Sequence, residues 1–329
     1  MGTLGSEQIY LNMRLKFLAK TCYHMYITLT NMKPFAPVVL FVYNRLEHTK
    51  RTVGALHNNI LAKNTELFIF SDGTKNDEAK TKVKEVRNYL KTISGFRSVH
   101  IIERNENCGL AKSVISGVTE TVNKFGKIIV LEDDLVTSPY FLQYMNDALA
   151  LYEHEEKVIS IHGYVYPVKK SLPKTFFLRG ADCWGWATWK RGWNLFELDG
   201  KKLLKELEGK NLVGDFDFDG SYNYSNMLKR QIDGLNDSWA IRWYASAFLA
   251  NKLTLYPGKS LIQNIGQDAT GTHGGNSNKS QIELSTTKIN VENIDLEENG
   301  LARQIFKEYF KSLGHSFLKR VAEKINQWS

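Results

Sequence analysis

The chain has few cysteines and no long hydrophobic run, and each absence excludes a class of protein. Its 329 residues include three cysteines, Cys22, Cys108 and Cys183, without any C-x-x-C spacing. A scattered, odd-numbered set indicates neither a disulfide framework nor a zinc site, and it fits a reducing cytoplasm. No stretch approaches the roughly twenty apolar residues of a membrane span, and the first residues lack the apolar core and cleavage site of a secretory signal.

Two glycine-rich phosphate-binding loops are also absent. No G-x-G-x-x-G follows the first predicted strand, and no G-x-x-x-x-G-K-[ST] occurs anywhere in the chain. A dinucleotide-binding Rossmann site or a P-loop would therefore lack its phosphate-binding turn. If the protein binds phosphate groups, a metal ion has to hold them instead.

The composition is that of an ordinary globular protein with a basic balance. Hydrophobic residues make up 43% and charged residues 24%, and the formal net charge is +8. This charge favours anionic partners such as nucleotide phosphates, nucleic acid or an acidic membrane surface, without choosing among them. No recognised nucleic-acid-binding module with interleaved basic and aromatic residues stands out, so we expect no nucleic acid partner.

Strand and helix patterns alternate from Pro37 onward, which predicts an α/β fold with a parallel sheet. The predicted strands are residues 38–43, 67–70, 99–102 and 128–131, with amphipathic helices between them. In open parallel sheets ligands bind outside the carboxyl ends of the strands. The polar residues that follow these four strands are therefore expected along one edge.

Three adjacent acids, Glu132, Asp133 and Asp134, follow the fourth predicted strand. They repel one another, and at the end of a buried strand the repulsion grows unless a cation offsets it. Mg²⁺ and Mn²⁺ prefer such oxygens and commonly complete their coordination with substrate phosphates. The alternative interpretation is a solvated acidic turn.

The second half of the chain has a looser pattern. Residues 139–152 and 238–251 are predicted helices, 158–161 and 253–256 are predicted strands, residues 200–235 are polar and charged, and residues 264–278 have the composition of a flexible loop. We therefore expect an N-terminal extension over residues 1–35, a catalytic domain over 36–275, and a C-terminal linker with a basic amphipathic helix over 276–329.

In this order, the pieces resemble the GT-A fold of nucleotide-sugar glycosyltransferases, in particular the N-acetylglucosaminyltransferase I type and bacterial capsule or lipopolysaccharide sugar transferases. The resemblance covers roughly residues 36–275. It is carried by residues 38–45 (VVLFVYNR), 71–73 (SDG), 130–135 (VLEDDL), 183–189 (CWGWATW) and 236–239 (NDSW). It implies a Rossmann-like, mostly parallel sheet flanked by helices, with a helical C-terminal extension.

The resemblance also implies roles for the residues at the predicted edge. Asp134 would ligate Mn²⁺ or Mg²⁺ that bridges the two phosphates of a sugar nucleotide, while Glu132 and Asp133 would accept hydrogen bonds from sugar and ribose hydroxyls. Arg45 and Asp72 would hold the base and ribose. An Asp that accepts from a uracil ring N–H favours a UDP-sugar donor. For Arg45 and Asp72 the alternatives are a surface guanidinium and a turn-forming residue.

Further roles implied by the resemblance fall on the second half of the chain. Asp237 would deprotonate the acceptor hydroxyl, or else be the N-cap of the helix that begins near Ser238. His273 would contact the metal or the diphosphate, although most lone loop histidines have no such role. Trp184 and Trp186 would form a pocket wall for a sugar ring, or else belong to the core.

The C-terminal stretch from Leu301 mixes apolar positions with lysine and arginine. A basic amphipathic helix of this kind either lies on an anionic membrane or packs on the catalytic domain. The first alternative would place a cytoplasmic enzyme on the inner face of the cell membrane.

We therefore predict a metal-dependent, UDP-sugar-using hexosyltransferase, inverting, acting on a glycan or lipid-linked acceptor in bacterial surface polysaccharide synthesis. Two alternatives remain at this stage. A sugar nucleotidyltransferase also uses an α/β sheet and acidic metal ligands, but it usually has a glycine-rich, basic loop after the first strand. A non-catalytic carbohydrate-binding module would use the cluster of four tryptophans at residues 184–193 and the net charge of +8.

Overall fold

The computed structural model describes residues 34–266 and 282–326, with side chains described as far as residue 313. The predicted site residue His273 lies outside the described residues. The chain divides into two units, Met1–Phe35 and Ala36–Ser329, and the account below concerns the second.

Eight strands of the described part form one sheet, in the spatial order β3-β2-β1-β4-β8-β6-β9-β7. Six of them run in one direction, and β8 and β7 are antiparallel to their neighbours. The sheet is therefore mostly parallel, as predicted. The bounds are β1 Val38–Val42, β2 Glu66–Ser71, β3 Ser98–Glu103, β4 Lys127–Glu132, β6 Val158–His162, β7 Thr175–Arg179, β8 Trp186–Trp189 and β9 Leu253–Pro257. Two short strands, β5 Leu135–Thr137 and β10 Ile262–Asn264, form a separate antiparallel pair.

Helices connect the strands and cover the sheet. They are α1 Leu46–His57, α2 Asp77–Leu90, α3 Leu110–Phe125, α4 Phe141–Leu151, α5 Lys190–Trp193, α6 Gly200–Gly209, α7 Val213–Phe216, α8 Tyr224–Ile232, α9 Trp239–Leu249 and α10 Gly300–Asn326. A 3₁₀ turn spans Ala62–Asn64. The start of α2 is capped by Asn76, whose side chain accepts from the Ala79 N–H at 3.0 Å.

Both faces of the sheet are buried, which explains why its strands read as continuous apolar runs. In β1, alternate side chains enter two different cores: Val38 and Leu40 belong to one, and Val39 and Phe41 to the other. Side chains of α1 and α4 complete the first core, while those of α3 and α9 complete the second. Packing on both faces of the sheet therefore fixes the edge at which β1 to β4 end.

The C-terminal segment packs on the same unit. Ile305, Phe306 and Phe310 of α10 are buried in a third core with Phe176 of β7 and Tyr256 of β9. The apolar face of the first half of α10 is therefore packed against the protein. This is the second alternative given for this helix, packing on the catalytic domain. No helix in the described ranges is long and apolar enough to cross a membrane.

Several elements differ from expectation in the second half of the chain. Strands β7 and β8 were not predicted, and the polar residues 200–235 form α6, α7 and α8. In α6 the Asp199 side chain caps the helix, accepting from the Lys201 N–H at 2.9 Å, and Leu203 and Leu207 alone provide a narrow buried stripe. Two apolar positions are too few to give a recognisable helical periodicity in the sequence.

Candidate active site

The acids after β4 lie beside Arg45 at the point where the strand order reverses. Strand β1, which Arg45 follows, pairs with β2 on one side and with β4 on the other. In open α/β sheets this switch point is where a crevice forms and where ligands bind. The Arg45 Nη2 atom donates to Asp133 Oδ1 and, at 2.8 Å, to Asp134 Oδ2. The structure therefore brings Arg45, Asp133 and Asp134 together, as expected from the strand pattern.

A segment that follows β10 closes over this cluster. The Ile265 N–H donates to the Asp134 carbonyl oxygen at 2.9 Å. A Cβ atom on Gly266 would lie 2.1 Å from Asp134 Oδ2 and 3.0 Å from Arg45 Nη1, so only glycine fits there. The second guanidinium nitrogen, Arg45 Nη1, is buried without an acceptor among the described residues. The sequence analysis missed Gly266, whose only signal was its place in a glycine- and asparagine-rich stretch.

Burial and mutual repulsion change the protonation of these acids. Burial and, to a smaller extent, the neighbouring Asp134 and Asp133 raise the pKa of Glu132 to about 8, against the lowering effect of Arg45. Burial also raises the pKa of Asp133 to about 6, although Arg45 lowers it. For Arg45 burial acts to lower the pKa, but the two aspartates outweigh it and the pKa rises. The single positive charge of the Arg45 guanidinium does not fully compensate the burial and mutual repulsion of the three carboxyl groups.

Asp72, at the end of β2, is bonded to its own chain. Its carboxylate accepts from the backbone N–H of Gly73 at 3.0 Å, Cys108 at 2.9 Å and Gly109 at 3.0 Å, and from Asn107 Nδ2 at 3.1 Å. These bonds fill the acceptor positions of a carboxylate and fix the loop between β3 and α3. The structure therefore gives Asp72 a loop-holding role, and its contact with a base stays a prediction.

Arg87, a residue of α2 that the sequence analysis did not single out, ties the ends of β2 and β3 together. Its guanidinium donates to the carbonyl oxygens of Arg104 at 2.6 Å and Asp72 at 3.2 Å, and to Ser71 Oγ at 3.2 Å. One side chain thus satisfies carbonyls that the strands leave unpaired. Its place between Val86 and Leu90, two buried positions, gave no sign of this role.

Asp237 lies in a groove of about 860 Å³ on the α3 side of the sheet, with Arg242 and Lys112 among its lining residues. Its carboxylate is exposed, and a Cβ on Gly109 would lie 3.6 Å from Asp237 Oδ2. Gly109 also donates to Asp72, so Asp237 lies beside the loop that Asp72 holds.

The cap of α9 is Ser238, not Asp237. Ser238 Oγ accepts from the Ile241 N–H at 3.2 Å, and Asn236 Oδ1 accepts from the Ser238 N–H at 3.0 Å. The Asp237 carboxylate makes no hydrogen bond within the described ranges, which leaves it available to a ligand.

The two tryptophans predicted as a pocket wall have different surroundings. Trp186 is fully buried and packs against Trp193, Trp239 and Trp243 at ring-centroid distances of 5.5 to 5.7 Å. The prediction for Trp186 is wrong, because this ring fills the core between the sheet and α9. Trp184 is only half-buried, and its ring meets Tyr164 edge-on at 4.7 Å.

The acidic cluster offers carboxylate oxygens, the ligand type that hard divalent cations prefer, without arranging them into a complete metal site within the described residues. Three carboxyl groups lie at one edge of the sheet. The positive charge between Asp133 and Asp134 comes from the Arg45 guanidinium. No group of three metal-ligating side chains is assembled within residues 34–266 and 282–313. A bound metal would therefore rely on Asp134, on phosphate oxygens and on ligands such as His273 from outside the described part.

Comparison with known proteins agrees with this geometry. Residues 38–194 match the sequence model of glycosyl transferase family 2. The match covers slightly less than half of the chain, whose mostly parallel sheet flanked by helices and helical C-terminal region are those of the GT-A fold. The matched segment runs from β1 to the helix after β8 and includes Arg45, Asp72, the three acids and Trp184. A search of curated proteins finds no match.

Solved structures with similarity to the chain include three glycosyltransferase-related proteins. The mannosyltransferase PcManGT from Pyrobaculum calidifontis, in complex with GDP-mannose and Mn²⁺, is 15% identical over 46% of this chain and 44% of its own, with a TM-score of 0.29. TarS from S. aureus is 13% identical over 69% and 36%, with a TM-score of 0.33. Glucosyl-3-phosphoglycerate synthase from Mycobacterium tuberculosis, with Mn²⁺, UDP-glucose and phosphoglyceric acid, is 9% identical over 49% and 58%, with a TM-score of 0.29. The chain thus spans about a third to three fifths of the length of these proteins.

The raised pKa values predict a pH dependence of stability. Below its raised pKa Glu132 keeps its proton in the folded protein, whereas the unfolded chain loses it near the ordinary carboxyl value. The free energy of unfolding should therefore fall as the pH rises toward about 8. Glu132→Gln cannot lose a proton there, so its Tm should fall less from about pH 5 to about pH 9.

Differential scanning fluorimetry of the metal-free protein measures this slope. Glu47→Gln is the matched control, because Glu47 is exposed and pairs with Lys50. It should keep the wild-type slope. Equal slopes for wild type and Glu132→Gln would contradict the burial effect assigned to Glu132.

The capping geometry predicts that substitution of Ser238 lowers the free energy of unfolding, whereas substitution of the neighbouring Asp237 hardly changes it. Ser238→Ala removes the cap of α9 and should lower the free energy of unfolding by about 1 kcal/mol. Asp237→Asn removes an exposed charge without a hydrogen bond and should change it by less than about 0.5 kcal/mol. Urea unfolding of both variants measures the difference. A larger loss for Asp237→Asn would make Asp237 a structural residue.

Proposed function

We propose that the protein is a metal-dependent glycosyltransferase that moves a hexose or N-acetylhexosamine from a nucleotide-sugar, with UDP favoured, to a glycan or lipid-linked acceptor. We place it in the cytoplasm and in bacterial surface polysaccharide synthesis. The observation that carries the proposal is the meeting of Arg45 with Asp133 and Asp134 at the switch point between β1 and β4. A family 2 domain over the same strands supports it.

In this proposal the edge of the sheet binds the donor in sections. Arg45 and the loop fixed by Asp72 lie at the ends of β1 and β2 and would hold the nucleoside. Glu132 and Asp133, at the end of β4, would accept from ribose and sugar hydroxyls, because carboxylate oxygens accept strongly from such donors.

The domain limits at 36–275 and 276–329 also stay proposals, because the boundary between them falls outside the described residues.

Asp134 would hold the metal together with the diphosphate. The ion supplies charge that stabilises the departing nucleoside diphosphate. Arg45, which bonds to Asp134 in this structure, would then be available to donate to the nucleotide. The protein's own part is to keep Asp134 at a fixed edge, with the Asp134 carbonyl bonded to Ile265 and Gly266 packed against its carboxylate.

Asp237 is our candidate for the base that takes the proton of the acceptor hydroxyl. A base has to be free of structural bonds and within reach of the substrate, and the Asp237 carboxylate is exposed in a groove while Ser238 caps the helix. A base that assists direct attack on the anomeric carbon leads to inversion. A contact of the protein with an anionic membrane surface also remains a proposal.

The decisive test combines nucleotide binding with a variant of the metal ligand. A thermal-shift screen of UDP- and GDP-sugars, each with and without Mn²⁺, should raise the Tm of wild type for at least one donor only when Mn²⁺ is present. Asp134→Asn should abolish this shift and lower Mn²⁺-dependent release of the nucleoside diphosphate by roughly a hundredfold or more.

The control for this variant is Asp147→Asn, since Asp147 is a half-exposed partner of Lys288. It should behave as wild type. Full turnover by Asp134→Asn, or no response of wild type to any nucleotide-sugar, would refute the proposed function.

A second test concerns the exchange of Arg45 for the metal. Arg45→Met removes a cation that competes for Asp134, so Mn²⁺ should bind the nucleotide-free variant roughly tenfold more tightly, the equivalent of about 1.4 kcal/mol. Titration followed by Mn²⁺ electron paramagnetic resonance measures the affinity. Arg104→Met is the control, because the Arg104 guanidinium bonds to Ser116 at 2.7 Å and to no acid of the cluster. Unchanged or weaker binding by Arg45→Met would show that Arg45 does not occupy the metal position.

A further inference from the structure

A fourth carboxylate, Asp182, lies in the loop before β8, the strand that pairs with β4 on the side opposite β1. Because β8 is antiparallel to β4, the start of β8 lies at the edge where β4 ends, and Trp186 pairs with Val130. The loop before β8 therefore continues along Glu132. The next residue, Cys183, carries a half-buried thiol whose pKa is raised by burial and then by the negative charges of Asp182 and Glu132.

The Asp182 carboxylate is mostly buried and has spare capacity to accept hydrogen bonds. Its side chain is 23% exposed, Oδ1 accepts from the Cys183 N–H at 2.8 Å, and Oδ2 lies 3.4 Å from the Tyr166 hydroxyl. A carboxylate offers about four acceptor positions, so about half remain open.

In the described part of the chain, no lysine or arginine forms an ion pair with this half-buried carboxylate. Within residues 34–266 and 282–313 the one basic side chain within 4.0 Å of it is His162, at 3.9 Å. His162 is fully buried, which lowers its pKa, and its Nε2 accepts the Trp184 N–H, so the ring is neutral.

Aromatic rings surround Asp182 on the side away from the cluster. Tyr164 meets Trp184 edge-on at 4.7 Å and Tyr166 edge-on at 5.4 Å, and Trp184 and Tyr166 are only half-buried. Burial raises the pKa of Tyr166 and of Tyr222, and the negative charge of Asp182 raises both further, so both phenols lie near it. A carboxylate with open acceptor positions beside aromatic faces is suited to a sugar ring, whose hydroxyls donate and whose C–H faces pack on rings.

The order of the strands places Asp182 relative to the donor. Along the edge the sequence is β2, β1, β4 and β8, with Asp72, Arg45, the three acids and the Asp182 loop in that order. If the nucleoside lies at β1 and the diphosphate at β4, as in the proposed function on which this inference rests, the sugar extends toward β8. We propose that Asp182 accepts hydrogen bonds from hydroxyls of the transferred sugar and, with Trp184, determines which donor sugar binds.

The test separates sugar binding from nucleotide binding. Isothermal titration calorimetry in the presence of Mn²⁺ gives the Kd of UDP-glucose, UDP-galactose, UDP-N-acetylglucosamine and GDP-mannose, and of the matching free nucleoside diphosphate. The Kd of the free nucleoside diphosphate divided by the Kd of the nucleotide-sugar measures the contribution of the sugar to binding. For the best donor this ratio should fall roughly tenfold to a hundredfold in Asp182→Ala, the effect of one or two hydrogen bonds to a charged group. The Kd of the nucleoside diphosphate itself should stay within about twofold.

Two further variants keep the outcome clear. Asp182→Asn preserves the shape of the side chain and should also lower the ratio, whereas Asp147→Asn should not. A wild-type ratio in both Asp182 variants, or a ratio near one in the wild type itself, would overturn the assignment of Asp182 while leaving the proposed function intact. Absence of any Mn²⁺-dependent nucleotide binding by the wild type would overturn both.

Discussion

The ion cluster of Arg45 with Asp133 and Asp134 is the interaction on which the rest of this edge depends. Three carboxyl groups end one buried strand, and without a cation their repulsion would disrupt the carboxyl end of β4. Arg45 supplies that cation from the neighbouring strand, and Gly266 closes over both partners. In the proposed function the guanidinium would hold the acids in place until a metal and a phosphate replace it.

The order of the strands then organises the chemistry along a line. Polar residues end successive strands, from the loop held by Asp72, through Arg45 and the three acids, to the loop that carries Asp182. The lone antiparallel strand among these, β8, is what brings Asp182 to the same edge, since its start and not its end lies there. In the proposed function the nucleoside, diphosphate and sugar of the donor would follow one another in the same order along this edge. Asp237 lies in the groove on the α3 side, from which the acceptor would approach.

Much of this edge could be predicted from the sequence, and the reasons are physical. Strands β1 to β4 are buried on both faces, so each is a continuous apolar run, and the polar residue after each run marks the edge. Asp134 and Arg45 were found in this way.

What could not be predicted depends on contacts between distant segments. Gly266 approaches Asp134 only because β10 pairs with β5, and Arg87 reaches the ends of β2 and β3 from a helix face that reads as solvent-exposed. Trp186 was misassigned because a tryptophan that lines a pocket and one that fills a core have the same sequence signal, and only the position of α9 distinguishes them.

A crystal structure of the protein with Mn²⁺ and the nucleotide-sugar that stabilises it best tests the central claim most directly. The account predicts a metal bound to Asp134 and to the diphosphate, with the Arg45 guanidinium no longer bonded to Asp134. A donor bound elsewhere, or a metal bound away from Asp134 with the Arg45 cluster intact, would contradict it.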